Sequence, residues 1–128
     1  MFKKTVVGLT LFIASMLLFA CARVVPVHNL YNESVPGHLT RHQVGVAIIN
    51  ATNERRCWHA VKVKPGLIRA AVFVRDHRAS VMIPYTSTHY SIIYQDSYNL
   101  NAGNGMIHRN FNKWVILLNR DIHYHLYN

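Results

Sequence analysis

The chain is 128 residues long, and 14 Lys and Arg side chains against 5 Asp and Glu give it a formal net charge of +9. That balance suits an anionic neighbour, whether phospholipid or lipopolysaccharide phosphate, teichoic or nucleic acid, or an acidic protein, and nine histidines would add charge at mildly acid pH. It excludes a polybasic tail, since Arg55-Arg56 is the nearest approach to a dense cationic block, and no phosphate-cradling glycine motif is present.

The first predicted element is a leader. Met1-Phe2-Lys3-Lys4 precedes an uncharged run from Thr5 to Ala22, the basic and apolar regions of a secretory signal. The lysines stay on the cytoplasmic side because moving charge across hydrocarbon is costly. The alternative is an uncleaved helix anchored in the inner membrane, since such a run reaches the spanning threshold.

Leu18-Phe19-Ala20-Cys21 resembles the lipobox of bacterial lipoproteins. The resemblance implies that residues 1–20 are removed as a lipoprotein signal peptide. It also implies a diacylglycerol on the Cys21 thiol and an acylated amine, which would hold the chain to a lipid bilayer. Two or three chains, at about 0.8 kcal/mol per buried methylene, anchor durably where one does not. Ala22 stands where an aspartate would retain a lipoprotein in the inner membrane, so the family pattern implies an outer-membrane anchor facing the periplasm. Without Lys3 and Lys4 the remaining chain carries 12 basic and 5 acidic side chains, a formal +7. A lipidated Cys21 leaves Cys57 without a partner in the chain, so no intramolecular disulfide can form. Between Arg56 and Trp58, Cys57 reads as a buried inert thiol, with a reactive thiol or an intermolecular bridge as the alternative.

Residues 21–38 contain two prolines, a glycine and no periodic pattern, and read as a tether. Residues 39–128 form one small domain. Its first helix opens at Thr40, which with Gln43 fits a capping box, and Val44, Ala47, Ile48 and Ala51 make an apolar stripe. The helix stops around Asn53 to Arg56. Four strand-like runs follow. Trp58 to Val63 ends at a Lys64-Pro65-Gly66 turn, and Leu67 to Val74 stops at Arg75-Asp76-His77-Arg78. Ala79 to Tyr85 carries Pro84, a mark of a sheet edge or a strand end, and Tyr90 to Gln95 completes the set. A polar loop from Asp96 to Gly105 then leads to a helix with Ile107, Phe111, Trp114, Leu118 and Ile122 on one face, widened by Val115. Connections this short favour antiparallel neighbours. The expected architecture is α+β: an antiparallel four-stranded meander flanked by an N-terminal and a C-terminal helix packed on one face.

The C-terminal run resembles part of a group of small uncharacterised bacterial lipoproteins. Tyr90, Ser91, Ile92 and Tyr94 fill its strand positions, and Ile107, His108, Asn110, Phe111, Asn112, Trp114 and Val115 its helix positions. That resemblance implies no activity.

Chemistry is sparse. His123 and His125 diverge on a helix, and neither they nor His38 and His42 have a neighbouring cysteine or carboxylate to complete a zinc set. Asp76 and Asp96 lie in loops with no spacing that promises a proton-transfer partner. Ser91 and Ser97 lack a nucleophile-elbow signature. No catalytic residue, metal site or cofactor is assigned. The better clue is aromatic: Tyr85, Tyr90, Tyr94 and Tyr98 gather near the last hairpin, with Arg75, His77, Arg78 and His89 at adjoining turns. Tyrosine with arginine is common at binding hot spots, although the same rings would also serve to pack beneath the helices. Trp58 and Trp114 read as core anchors.

Three function classes follow. The first is a non-enzymatic, membrane-anchored module that contacts an envelope protein or an anionic glycan. The second is a nucleic-acid or polyanion binder. The third is a small hydrolase, which would require Asp96, Ser97 and His108 to meet.

Overall fold

The structure, a computed structural model, describes residues 23–128; the leader and Cys21 lie outside the described residues. In chain order the elements are β1 (Val24–Pro26), β2 (Leu30–Ser34), α1 (Arg41–Glu54), β3 (Trp58–Lys64), β4 (Leu67–Val74), β5 (His77–Pro84), β6 (His89–Tyr98), β7 (Met106–His108) and α2 (Arg109–Tyr127). The fold is α+β, as expected, but the sheet is not a four-stranded meander. It has five antiparallel strands in the order β2-β6-β5-β4-β3, and β1 and β7 form a second, two-stranded sheet.

The fifth strand comes from the segment expected to be a tether. β2 pairs with β6, Leu30 opposite Ile92 and Glu33 opposite Tyr90 across a bulge, and β1 pairs with β7. Side chains and backbone nail this segment down from far along the chain. Asn112 on α2 accepts the His28 N–H at 3.0 Å and donates to the Pro26 carbonyl at 2.9 Å. Asn29 accepts the Tyr94 N–H at 2.8 Å, and the Arg109 N–H reaches the Arg23 carbonyl at 2.9 Å. These partners supply the pairing that so short a pair of strands lacks on its own. Asn112→Ala is expected to cost about 1–2 kcal/mol. Its larger effect is local: amide hydrogen exchange at residues 24–28 should accelerate well before the sheet opens. Uniform acceleration across the domain would assign Asn112 no special hold on this segment.

α1 follows its pattern. Thr40 Oγ1 accepts the Gln43 N–H at 3.1 Å while Gln43 Oε1 accepts the Thr40 N–H at 2.9 Å, completing the capping box. Val44, Ile48 and Ala51 are buried, and Thr52 sits among them by donating its hydroxyl to the Ile48 carbonyl at 2.7 Å. At the C-terminus Arg55 turns out of the helix and pairs with Asp121 on α2, one of its contacts being Nη2 to Oδ1 at 3.3 Å.

α2 begins two residues later than its apolar spacing predicts. Ile107 is buried on β7, and the His108 ring caps the helix by accepting the Asn110 N–H at 3.1 Å. The buried stripe is Phe111, Val115, Leu118, Ile122 and Leu126. Trp114 is only half-buried, whereas Trp58 is core.

Strand alternation sorts the sheet into two faces. Trp58 and Ala60 on β3, Ile68, Ala70 and Val72 on β4, Val81 and Ile83 on β5, and Tyr90 and Ile92 on β6 are all buried. Both helices pack on that face: Gly45 of α1 lies against Tyr85, and Asn119 of α2 accepts the Tyr90 hydroxyl at 2.6 Å. β6 runs on through Asp96, Ser97 and Tyr98, which were expected in a loop. At the β3 edge the Trp58 N–H donates to the Arg55 carbonyl and the Ala60 N–H to Asn53 Oδ1, which blunts that edge against strand addition.

Candidate binding face

The expected aromatic and basic cluster divides. Tyr85 and Tyr90 are 5 % and 1 % exposed beneath the helices. Tyr94 is half-buried there too, edge-on to Phe111 with ring centroids 5.4 Å apart. These three belong to the core, because odd-numbered burial on β5 and even-numbered burial on β6 turn them toward the helices. His89 stays exposed, but at the opposite end of β6 from Tyr98. His77 is half-buried and structural: its Nδ1 contacts the Asn99 carbonyl at 2.7 Å, tying the β4–β5 turn to the loop after β6. Arg75, Arg78 and Tyr98 remain accessible at one end of the sheet.

Burial of the Tyr90 ring pushes its hydroxyl pKa above the ordinary value, with the Glu33 and Tyr127 charges adding to the effect. The neutral form is favoured in the fold, so its stabilisation is complete below the unfolded-chain value of about 10 and is lost as pH rises beyond it. Denaturation followed from pH 8 to 12 should reveal a fall in stability above about pH 10 that is shallower in Tyr90→Phe. An equal slope in both proteins would assign the alkaline loss to other groups.

The uncovered face of the sheet carries its own pattern. Cross-strand register sets Phe73 opposite Arg78 and Arg78 opposite Tyr98, one row across β4, β5 and β6. Phe73 and Tyr98 are 54 % and 63 % exposed, which for large rings on a regular sheet marks a surface not occupied by the domain itself. With strands about 4.8 Å apart the two rings flank Arg78 at roughly 10 Å from each other. The Arg78 guanidinium lies 6.0 Å from the Tyr98 ring centroid and forms no ion pair with a carboxylate among the described residues.

The next row is His59, Ala71, Ser80 and Asp96, and the one after it Val61, Arg69, Met82 and Ile93. Small Ala71 and Ser80 between larger neighbours leave an open groove of about 360 Å³. Polar groups line one side of it. Ser80 donates to Asp96 Oδ1 at 2.5 Å, Arg69 Nε donates to Gln95 Oε1 at 2.9 Å, and Arg69 Nη2 stands 3.8 Å from Asp96 Oδ2. At the turn beside this row Arg75 adopts φ 56°, a left-handed conformation that glycine takes without strain.

The sequence reading missed Phe73, Arg69, His59 and Ser80. Parity was the available signal, because 69, 71 and 73 alternate with the buried 68, 70 and 72. The hydrolase constellation is not assembled. Asp96 and Ser97 are consecutive on β6 and face opposite ways; Ser97 Oγ is 2.8 Å from the Tyr94 hydroxyl, and His108 caps α2. Cys57, expected buried, is exposed, because it sits at the turn into β3 rather than on the strand. Among the described residues no three His, Cys, Asp or Glu side chains are grouped to hold a metal, and no helix is long and apolar enough to cross a membrane.

The class that fold and face define is a small α+β domain with one helix-covered and one uncovered sheet surface. No model of a known protein family matches the chain, and no curated protein matches it.

Proposed function

We propose that the protein is a lipoprotein of the bacterial cell envelope, anchored to the outer membrane through acylated Cys21 and facing the periplasm. Its domain is a non-enzymatic binding or assembly module for an envelope protein or an anionic glycan. The observation that carries the binding reading is the exposed Phe73–Arg78–Tyr98 row on the sheet face that no helix among the described residues covers. Its rings offer large contact area at little conformational cost, and Arg78, which forms no ion pair among the described residues, offers a fork for carboxylate or phosphate. The lipobox supports the anchor.

A photo-crosslinking residue in place of Tyr98, in cells bearing the native envelope, tests the face. A discrete adduct that disappears with Arg78→Ala supports the module. An adduct pattern unchanged by Arg78→Ala, or shared with a probe at exposed His89, rejects it. An inhibitor of the lipoprotein signal peptidase tests the anchor separately, and an unchanged mass would reject it.

The same row favours one second reading, because rings alternating with a guanidinium also serve single-stranded nucleic acid. That reading requires retention on immobilised DNA at low salt with a steep salt dependence. Failure to bind at low salt removes it.

A further inference from the structure

The outward side of α2 has an unused stripe. Arg109, Lys113, Ile116, Arg120 and Tyr124 are all exposed, at steps of four, three, four and four. At about 100° per residue this stripe lies opposite the buried Phe111, Val115, Leu118, Ile122 and Leu126. Ile116 and Tyr124 are 55 % and 66 % exposed, so the stripe presents an aliphatic tip and a ring among three cations. It contains no carboxylate. Its nearest one, Asp121, is engaged by Arg55, with Arg120 Nε 3.9 Å away.

The position of Arg23 gives this stripe a neighbour. The Arg109 N–H is bonded to the Arg23 carbonyl at 2.9 Å, so the first described residue sits at the N-terminus of α2. Cys21 precedes Arg23 by two residues, which span at most about 7 Å of chain. Because Val24–Pro26 is already paired as β1 and Leu30–Ser34 as β2, no long spacer lies between Cys21 and the domain.

We infer that the outer face of α2 rests on the anionic bilayer that holds Cys21, with the helices between lipid and sheet and the Phe73–Arg78–Tyr98 row turned away from the membrane. This orientation rests on the lipoprotein reading. Arg109, Lys113, Arg120 and Arg23 meet lipid phosphates, while Ile116 and the Tyr124 ring enter the headgroup boundary, the division of labour of an interfacial amphipathic helix. The partner surface is then presented to the periplasm rather than occluded by the anchor.

The test uses the acylated full chain in vesicles of phosphatidylethanolamine and phosphatidylglycerol. A fluorophore is placed on Ile116→Cys or on Phe73→Cys, each with Cys57→Ser, and is quenched by nitroxide-labelled lipid. Quenching several-fold stronger at 116 than at 73 is expected. Arg109→Glu with Lys113→Glu and Arg120→Glu should abolish the difference, as should vesicles of phosphatidylcholine alone. The mass of the N-terminal peptide reports acylation in the same sample. Equal quenching at the two positions in acylated protein overturns the orientation and leaves the anchor standing. An unmodified Cys21 overturns both.

Discussion

Phe111→Ala is expected to destabilise the domain by about 3–5 kcal/mol. Phe111 is fully buried at the start of α2 and meets Tyr94 edge-on, the planes at 90°. Truncation removes the ring's transfer free energy and leaves a void between helix and sheet, where β6 and the capped helix start limit collapse. It also removes an aromatic pair worth about 0.5–1.5 kcal/mol beyond its area. Single domains are stable by only about 5–15 kcal/mol, so the variant gives up a large share of the total. The midpoint of thermal unfolding should fall by roughly 15–30 °C, and the urea midpoint should fall with an unchanged slope. A shift of only a few degrees would mean that α2 closes over the void, and the account of a rigid helix–sheet seam would be wrong.

Gly45→Ala is expected to destabilise, although helix propensity alone predicts a gain of about 1 kcal/mol. A Cβ at position 45 would lie 2.5 Å from the Tyr85 Oη, 2.8 Å from its Cζ and 3.0 Å from its Cε2. The ring has little room to retreat, because Tyr85 is 5 % exposed and its N–H donates to the Gly66 carbonyl at 2.9 Å. Overpacking of this kind costs about 1–3 kcal/mol, enough to outweigh the propensity gain. The pair makes a diagnostic cycle. In a Tyr85→Leu background Gly45→Ala should become neutral or stabilising, and the coupling between the two sites should exceed the additivity error of about 0.5 kcal/mol. A rise in melting temperature for Gly45→Ala alone would refute the close approach.

Local signals explain how much of the fold was legible. The capping box at Thr40 and Gln43, the apolar stripe of α1 and the runs of β3 to β6 depend on neighbours a few residues away, and each element forms in its expected segment, although β5 starts two residues early, at His77, and Ala47 is only partly buried. The boundaries slipped where a tertiary partner decides them. β6 runs three residues past its apolar pattern because β5 offers Arg78, Ala79 and Ser80 as partners. Ile107 left the helix because β1 arrives to pair with β7.

The candidate face was less legible still. Tyr85, Tyr90 and Tyr94 carry the residue types of a binding surface, but those types are equally suited to a core. Only strand parity and the side on which α1 and α2 settle tell the two apart. Phe73, conversely, looks like core in the apolar run Leu67 to Val74 and is more than half exposed. The roles of the residues from His108 to Asn112 are likewise resolved by contacts: His108 caps, Phe111 packs and Asn112 clamps the N-terminal segment.

By itself, then, the amino-acid order determined the cationic balance, both helices and the four strands β3 to β6, since each is encoded by charge, by short spacing or by local capping. Tertiary structure alone decided that residues 24–34 join the fold, that three tyrosines are interior, and that Phe73, Arg78 and Tyr98 stand in one exposed row. The reason is that strand pairing joins residues as far apart as 24 and 108, and which side of a sheet meets water depends on where the helices pack.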